Sequence, residues 1–257
     1  MNRREFFSLT AGGTVFGLAT INSFTKLVMA ATTRPEIKAI IFDAFPVFDP
    51  RPIFGMTKTL FPEQGALLGK LWFTKIFSYT WLRTTGEHYK DFYAVIEDAL
   101  TFSIQSLKLD LTPNQQKQLM QVWLELKIWP DVKPVLQQLQ ERNIRLGFLS
   151  NMTEEMLCIN AKNSGVEDMF EFYLSTDRVK AFKPDPRAYQ LGIDSFDLPK
   201  KNIAFCAFAA WDAAGASWFG YPTVWINRLG QPEENLDIKA TISGKSIKTL
   251  LNFSLVP

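Results

Sequence analysis

The stretch "AIIFDAFPVFD" at 39–49 restricts the fold more than any other part of the chain. Ile37, Ala39, Ile40, Ile41 and Phe42 are apolar in near-unbroken succession. That is the pattern of a strand covered on both faces, as in a parallel sheet lying between two helical layers. This strand ends in a carboxylate, Asp43. Ligands of open α/β sheets bind outside the carboxyl ends of the strands, so a parallel sheet puts Asp43 where chemistry occurs. A lone carboxylate closing a buried run also demands a cation beside it, because an unpaired buried charge is costly.

The chain beyond Pro130 alternates as such a sheet requires. A helix over 132–142 leads to the strand "IRLGFLS", and Thr153, with Glu154 and Glu155 behind it, opens the next helix. The strand "FEFYLS", a helix over 186–196, the strand "NIAFCAF", a helix from about 213 to 219 and the strand "PTVWIN" follow. This order implies a doubly wound, Rossmann-like parallel sheet with right-handed crossovers. Residues 56–126 differ, carrying apolar side chains at three- and four-residue spacings with no strand between them. Thr112 and Pro113 supply a cap and first turn there. The expected fold is therefore α/β, with a Rossmann-like core (34–49 and 130–257) and an inserted all-helical cap (50–129).

The first residues belong to neither unit. "NRREFF" pairs Arg3 and Arg4 ahead of a mildly apolar segment and the small residues of "LVMAA", which resembles a twin-arginine export signal over 1–31. The expectation is a periplasmic or secreted protein with no stable membrane span, since glycines and threonines interrupt the segment. Without Arg3, Arg4, Lys26 and Glu5, the 28 basic and 26 acidic residues balance. Neutrality argues against a nucleic-acid partner. The two cysteines, Cys158 and Cys206, read as small buried hydrophobes. The single histidine, His88, leaves little room for imidazole catalysis or a multi-histidine metal site.

Other polar groups fall at strand ends. Ser150 and Asn151 close one strand, Asp212 follows another, and Lys183 sits in the loop "AFKPDP". Taken singly, each has a structural reading as a turn residue, a helix N-terminal acid or a solvated loop charge. Parallel neighbouring strands gather them at one edge.

The order "FDAF", "YTWLR", "FLSNMTEEML", "FKPDPRAY" and "AAWDAAGASWFGYPTVWINR" resembles the haloacid dehalogenase superfamily and, within it, the L-2-haloacid dehalogenase (type II) family. The similarity runs from Ile37 to Arg228. It implies that Asp43 displaces halide from a 2-haloacid with inversion and that water then attacks the resulting ester. By resemblance, Arg83, Asn151 and the ring of Phe102 hold the departing halide, and Lys183 keeps Asp43 ionised and oriented. Ser150 with nearby backbone amides binds the substrate carboxylate, Asp212 helps activate water, and Trp211 and Tyr189 line or support the pocket. No metal or other cofactor is implied, and a homodimer is.

Several positions depart from the family pattern. Asp, any residue, Tyr, Gly, Thr becomes Asp43, Ala44, Phe45, Pro46, Val47, and a serine and an asparagine that position water become Ala207 and Ala209. Pro46 removes one backbone donor beside Asp43 and is expected to push Phe45 towards extended geometry. Three readings follow: a hydrolytic 2-haloacid dehalogenase; a catalytically impaired relative binding a small carboxylic acid or a protein partner; and a phosphatase or other hydrolase of altered substrate. Phosphatases of this superfamily carry a general acid two residues after the nucleophile. Phe45 stands there, which costs a phosphatase roughly 10²- to 10⁴-fold.

Overall fold

The computed structural model describes residues 36–253, so the export signal read from the sequence lies outside the described residues. Six parallel strands form one sheet: β1 (Ala39–Phe42), β2 (Arg145–Ser150), β3 (Phe172–Ser175), β4 (Ile203–Ala207), β5 (Thr223–Ile226) and β6 (Ile242–Gly244). Their spatial order is β3-β2-β1-β4-β5-β6, with every neighbouring pair parallel. The chain reverses its direction of growth between β1 and β4, the switch point beside which doubly wound sheets bind ligands. All four residues of β1 and all five of β4 are buried.

Helices cover both faces: α1 (Ala44–Val47), α2 (Arg51–Leu60), α3 (Gly65–Thr85), α4 (Phe92–Ser106), α5 (Pro113–Gln121), α6 (Val132–Glu141), α7 (Glu154–Ser164), α8 (Pro186–Phe196), α9 (Ala210–Phe219) and α10 (Thr249–Phe253). α2 to α5 form the cap. The chain enters and leaves it side by side, where Asp49 N–H donates to the Lys127 carbonyl at 2.8 Å and Trp129 N–H to the Val47 carbonyl at 3.0 Å. Thr112 caps α5 in a reciprocal box with Gln115, with Pro113 in the first turn. Among the described residues no helix is long and apolar enough to cross a membrane.

Four details differ from the sequence reading. Phe45 is helical, because Asp43 caps the single turn α1 and Pro46 occupies a first-turn position whose N–H would have no intrahelical partner anyway. α9 begins at Ala210, so Asp212 lies within its first turn, where the helix dipole favours an acid. β6 and α10 are additional, being short segments with little periodicity. Cys206 is buried in β4, but Cys158 is exposed on α7 and both thiols are free, because Cys158 falls on the solvent side of that helix.

Candidate active site

β1 delivers Asp43 to the sheet edge, and the Asp43 N–H donates to the Cys206 carbonyl at 3.0 Å, extending the β1–β4 pairing by one residue. The Asp43 carboxylate accepts from Lys183 Nζ at 2.9 Å and from Ser150 Oγ at 3.3 Å, both on Oδ1. Its other oxygen, Oδ2, accepts the Phe45 N–H at 3.2 Å, its one donor among the described residues. Ser150 Oγ in turn accepts from the Met152 N–H at 3.3 Å. Its proton is thereby committed to Asp43 and one lone pair to Met152, a different task from grasping a substrate carboxylate.

Lys183 is 99% shielded from solvent and has a second partner, Asp212 Oδ2, at 2.6 Å. Burial alone would lower the Lys183 pKa; the attraction of Asp212 and Asp43 more than offsets this and raises it, keeping the ammonium charged. Burial pushes the Asp212 carboxyl up to about 6, against the pull of Lys183 and with the help of the nearby Asp43 charge. Tyr189 Oη donates to Asp212 Oδ1 at 2.7 Å, which holds the carboxylate from its far side. Gly215 makes this approach feasible, since a Cβ there would sit 2.6 Å from Tyr189 Oη and 2.7 Å from Pro184 Cβ. Tyr189 supports the site from beneath and is absent from the cavity wall.

Asp43, Ser150, Asn151, Lys183, Trp211 and Asp212 all reach one cavity of about 570 Å³ between core and cap. Asn151 is 4% exposed, and its Oδ1 accepts the Lys183 backbone N–H at 3.0 Å, which fixes the orientation of the amide. Asn151 Nδ2 is then a buried donor with no partner among the described residues. A buried donor left unmatched by the protein costs free energy unless something else accepts from it.

Two sequence-predicted residues are not in the site. Arg83 Nη2 donates to Asp98 at 2.7 Å and Nη1 to the His88 carbonyl at 3.0 Å, away from the cavity. Phe102 is 37% exposed and packs on Tyr79, with Lys75 Nζ 4.1 Å above its ring. The reason is helical geometry. Lys70, Phe73, Thr74, Phe77 and Trp81 of α3 line the cavity at spacings that keep one face. Arg83 lies ten residues beyond Phe73, roughly 80° around the helix from that face. Phe102 stands in the same relation to Phe92, the residue of α4 that does reach the cavity.

Sequence reasoning also missed the aromatic wall. Phe45 of the core meets Phe73 of the cap and Phe208 after β4, each at 5.8 Å between ring centroids, and Trp211 meets Phe77 at 5.3 Å and Trp81 at 5.5 Å. The three-and-four spacing of α3 could have found its face. Arg228 ends the last of the sequence motifs. Its guanidinium donates to Asp131 at 2.8 and 3.0 Å and to the Pro46 carbonyl at 3.2 Å, and stacks on Trp129 at 4.6 Å. It thus clamps α1, while Trp129 Nε1 holds the Phe45 carbonyl at 2.9 Å.

Comparison with known proteins agrees with this arrangement. The haloacid dehalogenase-like hydrolase family model matches residues 12–220. The (S)-2-haloacid dehalogenase of Pseudomonas sp. (strain YL) is 36% identical over 201 residues, covering 78% of this chain and 87% of that one. Haloacetate dehalogenase H-2 of Moraxella sp. (strain B) is 36% identical over 196 residues, covering 76% and 88%. A crystal structure of an L-2-haloacid dehalogenase superposes with a TM-score of 0.83 at 38% identity, covering 85% of this chain and 99% of that one. With its motifs in order along the chain and their carboxylates and lysine joined at the sheet edge, the protein belongs to the haloacid dehalogenase-like hydrolase family.

Proposed function

We propose that the protein hydrolyses a 2-haloacid to the 2-hydroxy acid through an ester on Asp43, with inversion at the reacting carbon. One observation carries this reading: Asp43 Oδ1 is held by Lys183 and Ser150, whereas Oδ2 has a single backbone donor and keeps a lone pair for attack at the edge of a sheltered cavity. A carboxylate is a weak nucleophile in water. A fixed cation and a wall of rings orient it and replace its hydration.

In the first step Asp43 Oδ2 bonds to the α-carbon opposite the halide, which departs with its bonding pair. Asn151 Nδ2, the unmatched buried donor of a cavity-lining residue, receives the halide in place of the excluded Arg83. In the second step water attacks the Asp43 ester carbonyl while Asp212 takes one of its protons and returns it to the alkoxide oxygen as the carbonyl C–O bond breaks. The hydroxy acid leaves, and Asp43 is restored as a carboxylate by releasing the second proton to solvent. No cofactor enters either step. The relatives named as haloacid dehalogenases support the same chemistry.

Mass spectrometry of the peptide carrying Asp43, quenched early after addition of a 2-chloroacid, tests this. The expected result is a mass increase on that peptide together with halide release, both lost in Asp43→Asn. Halide release that persists in Asp43→Asn overturns the ester mechanism.

A second reading, binding of a carboxylic acid without turnover, draws on the alanines at 207 and 209 and on the lack of an arginine from the cap among the cavity-lining residues. Thermal stabilisation by a non-halogenated acid with neither adduct nor halide supports it. Phosphatase activity is disfavoured because Phe45, packed between Phe73 and Phe208, supplies no proton. Export rests on the Arg3–Arg4 pair and is tested by cell fractionation of the double lysine variant. The homodimer rests on resemblance and is tested by light scattering.

A further inference from the structure

We infer that the acid accepted by this cavity bears a bulky aromatic group on its α-carbon substituent, in place of the hydrogen or methyl of haloacetate and 2-halopropionate. This rests on the haloacid reading of the site and adds the substrate class.

The first argument is space. Six non-hydrogen atoms make up 2-chloropropionate. At roughly 30 Å³ each, the share of one water in the liquid, they occupy about 180 Å³. The cavity holds about 570 Å³. A three-carbon acid seated on Asp43 would leave most of the volume to water, and water around the carboxylate weakens both its orientation and its nucleophilicity. A phenyl-bearing acid fills the remainder.

The second argument is the chemistry of the wall. Moving outward from Asp43, the cavity is bounded by Phe73, Phe77 and Phe92 of the cap and by Phe208 and Trp211 of the core. Phe77 and Trp211 approach each other at 5.3 Å with planes 58° apart, and Trp81 meets Trp211 edge-on at 84°. Flat faces and edges at mutual angles suit a guest ring in edge-to-face or offset contact. These rings present apolar faces, so the group stacked on them is apolar; the lining also holds Thr74, Asn227, Gln231, Glu233 and Glu234, whose two carboxylates disfavour a second anionic group.

Charge gives the third argument. At its deep end the cavity carries Asp43 and Asp212 against the single ammonium of Lys183, and Asn151 adds one neutral donor. A second anionic group on the substrate finds no free cation there. The other cations lining the cavity among the described residues are Lys70, which is exposed, and Arg228, which is paired with Asp131. A monoanionic acid with an apolar aromatic extension matches this distribution.

The test compares (S)-2-chloro-3-phenylpropionate with (S)-2-chloropropionate by halide release. Alongside, calorimetry measures binding of the unhalogenated 3-phenylpropionate and propionate to the same full-length protein. The expected result is a kcat/KM at least tenfold higher for the phenyl acid, and tighter binding of 3-phenylpropionate than of propionate. Phe77→Ala removes one ring of the wall. It is expected to raise KM for the phenyl acid at least fivefold more than it raises KM for the short acid. A kcat/KM favouring the short acid, or equal effects of Phe77→Ala on both, overturns the inference. No halide from either acid, with 3-phenylpropionate still bound preferentially, removes the dehalogenase reading and leaves the aromatic-acid site standing. Equal or absent binding of both unhalogenated acids overturns the site as well.

Discussion

Lys183 Nζ stands 2.6 Å from Asp212 Oδ2, closer than its 2.9 Å separation from Asp43 Oδ1. One buried ammonium therefore serves two carboxylates, and the proposed nucleophile shares its counter-ion with the proposed base of the second step. Either acid is affected by what happens to the other.

Replacing Lys183 by Met leaves two carboxylates close together in a low-dielectric site with no cation between them. Removing one member of a buried ion pair costs about 3 to 5 kcal/mol, and a loss of that size is expected in urea unfolding. Adding Asp212→Asn to the Lys183→Met variant is expected to restore part of the stability, because it removes one stranded charge. A Lys183→Met variant as stable as the parent would contradict the burial of this triad.

The raised pKa of Asp212 sets a pH dependence. In the proposed mechanism Asp212 activates water in its ionised form, so hydrolysis of the Asp43 ester is expected to fall as the pH drops through about 6. Stability runs the other way. The folded state holds this proton up to about pH 6 and the unfolded chain only to about 3.9. The Asp212 contribution is therefore fully present below about pH 4 and is lost as the pH rises through 6. Decay of the trapped ester followed by mass, and urea midpoints at pH 4.5 and 7.5 compared with Asp212→Asn, check both signs.

Arg83 and Asn151 are expected to separate cleanly. Arg83→Ala loses the part-exposed pair with Asp98, worth about 0.2 to 1 kcal/mol, and its halide-release rate is expected to stay within about twofold of the parent. Asn151→Ala deletes the buried donor proposed to receive the halide and is expected to slow halide release roughly 10- to 100-fold. A larger effect at Arg83 than at Asn151, measured in single-turnover assays, would contradict the geometry.

Ala207 and Ala209 stand beside the sheet-edge acids without a polar atom in their side chains, and Ala209 caps α9 with no side-chain hydrogen bond. Ester hydrolysis is therefore expected to limit turnover, with a burst of halide followed by a slower steady rate. Ala207→Ser with Ala209→Asn is expected to raise the steady rate roughly tenfold and shrink the burst, by positioning water over the ester. Stopped-flow halide detection reads both quantities.

Much of this was legible in the residues alone. The apolar run ending at Asp43 reveals a buried parallel strand, because no surface strand tolerates that composition. The alternation after Pro130 orders the sheet, and Thr112, Thr153 and the proline at 186 mark helix starts through local hydrogen bonding and ring geometry that need no tertiary context. The motif order likewise brings Asp43, Ser150, Asn151, Lys183 and Asp212 to one edge, since strands in parallel register must present their carboxyl ends together.

Tertiary structure alone decided which faces of α3 and α4 look inward. Both helices have apolar residues on more than one side, so Phe73 and Phe92 could be distinguished from Arg83 and Phe102 only once the cap had packed on the core. The same holds for the two tasks of Ser150, the unmatched donor of Asn151 and the grip of Arg228 on the Pro46 carbonyl. Apart from the Met152 N–H, two residues from Ser150, the partners lie far away in sequence, and hydrogen-bond geometry at 3 Å is set by packing that a one-dimensional pattern does not encode. Composition and periodicity determine that a carboxylate meets a cation at a sheet edge; the close-packed rings around it decide how much room is left and what kind of molecule fills it.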